Sequence, residues 1–268
     1  MARIAVAATA PFGADVLERL ASRHEVVTLL TRPDAPRGRG RKLAAPPAKV
    51  VAESLQIPVL QPPRLTGDVC VHSHHLDAVV VAAYGLLIPE SVLQEPLWLN
   101  VHPSLLPRWR GAAPVERAIM AGDPETGVTI HETVKELDAG PIAAQQAFPV
   151  GLEDDAGVVY GRSADLAADL LDDVLRGLPQ FRPQPEVGVT YADKITAADR
   201  ELDLGAQPLE IHNRVRALSP HIGARATVDG RRLTIWRTRV VDDRLELLEV
   251  QPEGKRRMTY DEYRRGLR

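Results

Sequence analysis

The run Ala78-Val79-Val80-Val81-Ala82-Ala83, leading into Tyr84-Gly85, decides the fold. Six apolar residues in succession leave no face for solvent, so a strand built from them has to be covered on both sides, as in a parallel sheet flanked by helices. Outward from this run, short apolar stretches alternate with helical patterns. Residues 4–8, 26–31, 58–61, 98–102 and 128–134 read as strands, and 14–22 and 48–55 as helices between them. The expected class is α/β, with a Rossmann-like, mostly parallel sheet. Ligands in such sheets sit beyond the carboxyl ends of the strands. Tyr84-Gly85 and His102-Pro103 both fall at such ends, which marks a place for a site before its chemistry is considered.

Two frequent occupants of that place are not expected. Ala8-Thr9-Ala10-Pro11-Phe12-Gly13 lacks G-x-G-x-x-G, and Gly38-Arg39-Gly40-Arg41-Lys42 lacks the P-loop spacing, so neither NAD nor ATP is indicated. Cys70 is the single cysteine, which rules out an internal disulfide framework and a multi-cysteine metal site and fits a reducing compartment. His72, His74 and His75 cluster without the supporting acids or cysteines of a zinc site and read as a polar turn. Met1-Ala2-Arg3-Ile4-Ala5-Val6 is too short an apolar run for a signal peptide or membrane span, so a cytoplasmic location and no membrane contact are expected.

At 268 residues the chain exceeds a typical domain of ~100–150 residues, so a second, smaller unit is expected. A helix is predicted over 154–176, followed by a proline-rich connection over 179–187. Residues 224–228, 233–241 and 245–251 are short strand candidates separated by Asp229-Gly230 and Asp242-Asp243, pairs that favour tight hairpins. The expected division is a catalytic domain over 1–188, a linker over 189–210 and a small β-barrel over 211–268. That last segment carries 14 Lys/Arg against 8 Asp/Glu, whereas the remainder carries 19 against 28. A basic end of this kind suits phosphate neutralisation, although a merely solvated face has the same composition. The loop holding Arg37, Arg39, Arg41 and Lys42 around Gly38 and Gly40 is more specific, because Pro33 and Pro36 keep it out of a helix.

The chemistry is carried by Asn100, His102 and Asp138. Asn100 and His102 lie two apart in the predicted strand and project to the same face. An asparagine offers N–H groups to a carbonyl oxygen, and a histidine ordinarily exchanges its proton near neutrality. Together they suit a developing oxyanion. Asp138 could orient His102 or accept a proton from an attacking amine. Each residue also has an ordinary reading, as a turn or cap asparagine, a structural histidine and an Asp-Ala-Gly turn.

Asn100-x-His102, the stretch Ser104-Leu105-Leu106-Pro107-Arg108-Trp109-Arg110-Gly111-Ala112-Ala113-Pro114, and Leu137-Asp138-x-Gly140 resemble the signature of the folate-dependent formyltransferases. The Arg-Trp-Arg-Gly-Ala-Ala-Pro ending resembles the branch that formylates methionyl-tRNA. The resemblance continues through residues 31–43, 83–89, 189–195 and 248–255. It implies a formyl donor, 10-formyltetrahydrofolate, and an acceptor, the α-amine of initiator methionyl-tRNA, with no metal. It assigns oxyanion stabilisation to Asn100 and His102, and orientation or proton relay to Asp138. It lays Ser104, Leu105, Leu106 and Pro107 along the folate and lines the pterin pocket with Leu86, Ile88, Glu136 and Leu137. It also implies that the C-terminal barrel is similar to an oligonucleotide-binding fold, shortened here, and that Arg39, Arg41 and Lys42 meet the tRNA acceptor stem. A monomer is expected.

His131 departs from the tRNA-directed pattern. The stretch Gly127-Val128-Thr129-Ile130-His131-Glu132 is similar to glycinamide ribonucleotide and sugar-nucleotide formyltransferases, which act on a small amine. The basic loop and basic C-terminal end favour tRNA. A reading of another class, a non-catalytic nucleic-acid-binding protein on the same fold, leaves Asn100, His102 and Asp138 without a purpose. Trp109 is open between stacking on a substrate and packing within the protein, and Arg108 and Arg110 between binding an anion and neither.

Overall fold

The computed structural model describes residues 1–37, 40, 42–66, 75–177 and 179–267. Its first strands are β1 (Arg3–Ala8), β2 (Glu25–Leu30), β3 (Ala35–Arg37), β4 (Lys42–Ala44), β5 (Val59–Leu60), β6 (Ala78–Ala82) and β7 (Trp98–His102). They are followed by β8 (Arg110–Gly111), β9 (Glu125–Glu132), β10 (Ile142–Pro149) and β11 (Tyr191–Ala192). Helices α1 (Pro11–Ala21), α2 (Pro47–Ser54), α3 (Pro114–Ala121), α4 (Ala156–Arg176) and α5 (Pro208–Leu218) intervene. Four of these, α1, α2, α3 and α5, begin on a proline. A first-turn N–H has no partner within the helix, so proline loses nothing there and its fixed φ starts the turn.

Seven strands form one sheet in the order β10-β9-β7-β6-β1-β2-β5. The pairs β1–β2, β1–β6, β2–β5 and β6–β7 are parallel, and β7–β9 is antiparallel. All five residues of β6 are buried, as the two-sided covering predicted for its apolar run requires. The run itself extends further than the strand. Ala83 takes a left-handed φ of 48°, and its carbonyl turns back to accept hydrogen bonds from the Thr9 and Ala10 N–H groups at 3.3 Å. Helix α1 lies so close to this end of the sheet that a Cβ on Gly13 would run into the Ala82 carbonyl oxygen. That contact leaves room only for glycine.

The chain forms two compact units: Met1–Arg110 with Gly127–Ala147 and Gly161–Thr190, and Gly111–Thr126 with Phe148–Tyr160 and Tyr191–Arg268. A division into 1–188, 189–210 and 211–268 follows chain order, whereas these units interleave. Within the second unit, Val115 and Ile119 of α3 pack with Ala156 and Val159 at the start of α4 and with Ala217 of α5, so distant segments share one apolar cluster. Arg117 grips Asp199 with two guanidinium nitrogens, at 2.6 and 3.1 Å, and holds the carboxyl well below its usual range.

The rest of the second unit is an antiparallel sheet of β12 (Ala224–Val228), β13 (Arg231–Val241), β14 (Arg244–Pro252) and β15 (Met258–Thr259), paired in chain order, with α6 (Tyr260–Arg265) after it. Asp229, Gly230, Asp242 and Asp243 all have positive φ, so both predicted hairpins turn through two left-handed residues. Such turns match the twist of the flanking strands. Among the described residues this shortened barrel is an open meander. Ile211, Val215 and Leu218 of α5 pack on its apolar face with Leu233, Ile235 and Val250. A helix supplies the cover that further strands would otherwise give.

The basic loop is a hairpin at its base, where β3 and β4 pair antiparallel from Ala35↔Ala44 to Arg37↔Lys42. Lys42 is exposed there. Gly38, Arg39 and Arg41 lie outside the described residues, as do Cys70, His72 and His74. Among the described residues no group of three histidine, cysteine or carboxylate side chains is placed to hold a metal, and no helix is long and apolar enough to cross a membrane.

Candidate active site

The parallel strand β7 delivers Asn100 and His102 to the carboxyl end of the sheet. The antiparallel register with β9 sets Asn100 opposite His131 and His102 opposite Thr129. Opposed residues in such a ladder share a face, so His131 joins the site through strand pairing rather than proximity in sequence. Asp138 reaches in from the loop between β9 and β10 with a left-handed φ of 47°. The loop is pressed against the end of β9, where a Cβ on Gly140 would run into the Glu132 carbonyl oxygen.

The four side chains converge. Asn100 Nδ2 donates to Asp138 Oδ1 at 3.1 Å and lies 3.0 Å from His131 Nε2. A carboxylate only accepts, which fixes the asparagine nitrogen on this side. His131 Nδ1 lies 2.8 Å from the Glu132 carbonyl oxygen and must donate to it. Its Nε2 is then the unprotonated nitrogen that accepts the second Asn100 hydrogen. His102 Nε2 donates to the Trp109 carbonyl at 2.8 Å, which turns Nδ1 toward Asp138 Oδ2 at 3.7 Å. That distance is an electrostatic contact, longer than a hydrogen bond.

His131 is 2 % exposed. Burial pushes its pKa down to about 4, the neighbouring His102 adds to the shift, and Asp138 opposes it. A histidine free in an unfolded chain titrates near 6.5. Between these values the unfolded chain holds a proton that the folded one does not, so folding stability due to His131 is complete above about 6.5 and declines as pH falls toward about 4. We expect His131→Gln, which retains an acceptor but does not titrate, to flatten this acid decline. Urea unfolding of both proteins at pH 7, 6, 5 and 4 checks it, and parallel curves would contradict it.

The expected folate contacts divide into two groups. Ser104 is 0 % exposed, donates its hydroxyl to the Arg108 carbonyl at 2.7 Å and accepts Thr129 Oγ1 on its carbonyl at 2.7 Å. Leu106 is also buried, with its N–H on Thr129 Oγ1 and its carbonyl accepting from Gln145 Nε2. The side chains of these two are turned into the loop, which they shape. Leu105 and Pro107 are half-buried. Leu86 and Ile88 are half-buried against the cluster of Tyr84, Val92 and Trp98, while Glu136 is exposed and Leu137 is 64 % exposed.

Trp109 and Arg110 are drawn into the structure. Trp109 has a left-handed φ of 65°, its N–H donates to Thr190 Oγ1 at 2.9 Å, and the Arg108 guanidinium lies 4.4 Å from its ring centre. Arg110 donates from Nε and Nη2 to Gln184 Oε1 at 3.0 and 2.6 Å. Gln184 and Thr190 were not expected near the site. The one signal for Gln184 is its setting, Pro183-Gln184-Pro185, in which two prolines hold the backbone extended and fix where the side chain points.

A half-buried donor, two histidines held in defined tautomers and one carboxylate, gathered at the end of a parallel strand, are the kind of groups that suit acyl transfer on an α/β sheet. The formyl transferase description matches residues 2–175 and the C-terminal domain of formyl transferases matches 194–246. The chain belongs to the formyl transferase family. It is 40% identical to the methionyl-tRNA formyltransferase of Alcanivorax borkumensis, over 98% of this chain and 91% of that one. In fold it is similar to the methionyl-tRNA formyltransferase of Clostridium thermocellum, with a TM-score of 0.68, 14% identity and 94% and 99% of the two chains covered. An N-formyltransferase of Helicobacter canadensis, solved with folinic acid and dTDP-3-aminofucose, has a TM-score of 0.67 and 17% identity, over 90% of this chain and 89% of that one.

Proposed function

We propose that the protein transfers the formyl group of 10-formyltetrahydrofolate to the α-amine of methionyl-tRNA, the initiator species, giving N-formylmethionyl-tRNA for translation initiation. The observation that carries this reading is the convergence of Asn100 and His102 on the Asp138 carboxylate, in a chain similar over nearly its whole length to a methionyl-tRNA formyltransferase. The neutral amine attacks the formyl carbon, a C–N bond forms, and the carbonyl electron pair moves onto oxygen. An Asn100 N–H, released from its contact with Asp138 or His131, stabilises that oxygen. The proton shed by the amine passes to the Asp138–His102 pair, with His102 Nδ1 as the nitrogen free to hold it. Collapse breaks the bond to N10 of the folate, which takes up a proton as it leaves. The protein supplies no nucleophile, and no step requires a metal.

His102→Ala is expected to lower transfer by at least about 10², and full activity in a folded variant would remove this proton route. The acceptor is tested with radiolabelled 10-formyltetrahydrofolate offered methionyl-tRNA or a nucleotide-linked amino sugar. Labelled methionyl-tRNA supports the reading. Label on the amino sugar alone would select a small-amine enzyme, the alternative that His131 favours.

The basic loop and residues 211–268 are assigned to the tRNA. Arg39→Ala with Arg41→Ala is expected to weaken tRNA binding and to reduce the slope of log Kd against log salt by roughly 1–2, while donor binding is unchanged. An unaltered slope would remove Arg39 and Arg41 from the contact. Lys42, exposed at the start of β4, is the third cation assigned to it.

A further inference from the structure

The stretch 182–190 reads in the sequence as a connection between domains, and residues 182, 183 and 185–188 are exposed. Gln184 alone among them is turned inward. Its Nε2 donates to the Asp138 carbonyl at 2.8 Å and to the Gly140 carbonyl at 2.9 Å. Its Oε1 accepts from Arg110 Nε and Nη2 at 3.0 and 2.6 Å. Both hydrogens of the amide and both lone pairs of its oxygen are used, and the orientation is unambiguous, since carbonyls only accept and a guanidinium only donates. The stretch is docked at its start by paired backbone bonds between Arg182 and Ile142, at 2.7 and 3.0 Å, just after the Asp138 loop. At its end the Thr190 carbonyl accepts the Arg110 N–H at 2.9 Å, and Thr190 Oγ1 accepts the Trp109 N–H at 2.9 Å.

These contacts fall on the two residues of the site that carry left-handed backbones. Asp138 (φ 47°) presents the carboxylate, and Trp109 (φ 65°) presents the carbonyl that receives His102 Nε2. Non-glycine residues adopt such a conformation uncommonly, aspartate more readily than most, and a bulky side chain such as that of Trp109 holds it where its surroundings require it. We infer that residues 182–190 brace the catalytic site, with Gln184 as the positioning residue for Asp138 and Thr190 as the positioning residue for His102 through Trp109. These hydrogen bonds run to backbone carbonyls, backbone N–H groups and Arg110, so the brace acts by aiming the reacting groups.

The inference rests on the formyl-transfer reading, and two measurements keep them apart. In steady-state transfer to methionyl-tRNA, Gln184→Met, close in shape but without donors, should lower kcat about 10-fold while the KM for 10-formyltetrahydrofolate changes less than twofold. In an Asp138→Ala background the same substitution should cost nothing further, because residues that act as one unit are non-additive. A kcat equal to the parent's in folded Gln184→Met, or an equal loss in both backgrounds, would overturn the assignment. Thr190→Val should show the same kcat loss and Thr190→Ser should restore the rate, which tests the brace even if Gln184→Met does not fold. Independently of any acceptor, the Gln184 side-chain N–H pair should exchange slowly with solvent in 1H–15N spectra of the parent protein. Rapid exchange would overturn the brace whatever the substrate, whereas a parent protein inactive on methionyl-tRNA would overturn the reading beneath it.

Discussion

Asp138→Ala is expected to reduce formyl transfer by at least about 10² and to be among the most damaging single changes at the site. The carboxylate is the group on which the others are arranged: 3.1 Å from Asn100 Nδ2, 3.7 Å from His102 Nδ1 and 3.8 Å from His131 Nε2. Its removal takes away the acceptor that aims the asparagine and the negative charge that His102 faces. Asp138→Asn separates the two effects, since the shape stays and the charge goes. We expect it to be nearly as slow as the alanine variant, because a neutral amide cannot stabilise a proton on His102. Single-turnover rates with saturating donor, alongside thermal melting of each variant, check this. An Asp138→Asn protein that turns over at the parent's rate would show that shape alone suffices.

Asn100→Ala is expected to cost about 10²–10³ in rate, the usual consequence of losing one preorganised oxyanion donor. Both of its N–H groups are held, one by Asp138 and one by His131, so the nitrogen is fixed in place and one N–H exchanges its partner for the oxygen as charge develops. The loss should fall on kcat rather than on donor affinity, because the interaction strengthens only as negative charge develops. A binding isotherm for the folate donor together with the transfer rate tests the division. A raised donor Kd at unchanged kcat would move Asn100 out of the oxyanion role and into simple binding. Asn100→Asp should be no better than alanine, since it places a second carboxylate against Asp138 and offers no donor.

The parts of the fold legible in the sequence are those written in local chemistry. The all-apolar run at residues 78–83 required a buried strand, and β6 is buried throughout. Trp98–His102 has the predicted bounds, and the Asp-Gly and Asp-Asp pairs lie at the two predicted hairpins with the positive φ such turns need. Helices α3 and α5 and strand β10 were not foreseen. Helix α3 begins on Pro114, the last residue of the signature stretch, and β10 alternates too weakly to declare itself. The site was legible in part. Asn100 and His102 follow from alternation within one strand, and Asp138 from its resemblance to a known signature, but nothing local connects Gln184 to a carboxylate loop 46 residues away.

Periodicity, turn chemistry and residue type are properties of short stretches, and they sufficed to determine an α/β sheet, an antiparallel second unit and the asparagine–histidine pair at the sheet's carboxyl edge. Strand register and the docking of distant segments depend on which surfaces meet in three dimensions. Only the tertiary structure decided that His131 stands across from Asn100 as an acceptor in a fixed tautomer, that Ser104 is consumed by the loop it shapes, and that an exposed connection turns one glutamine inward to hold Asp138.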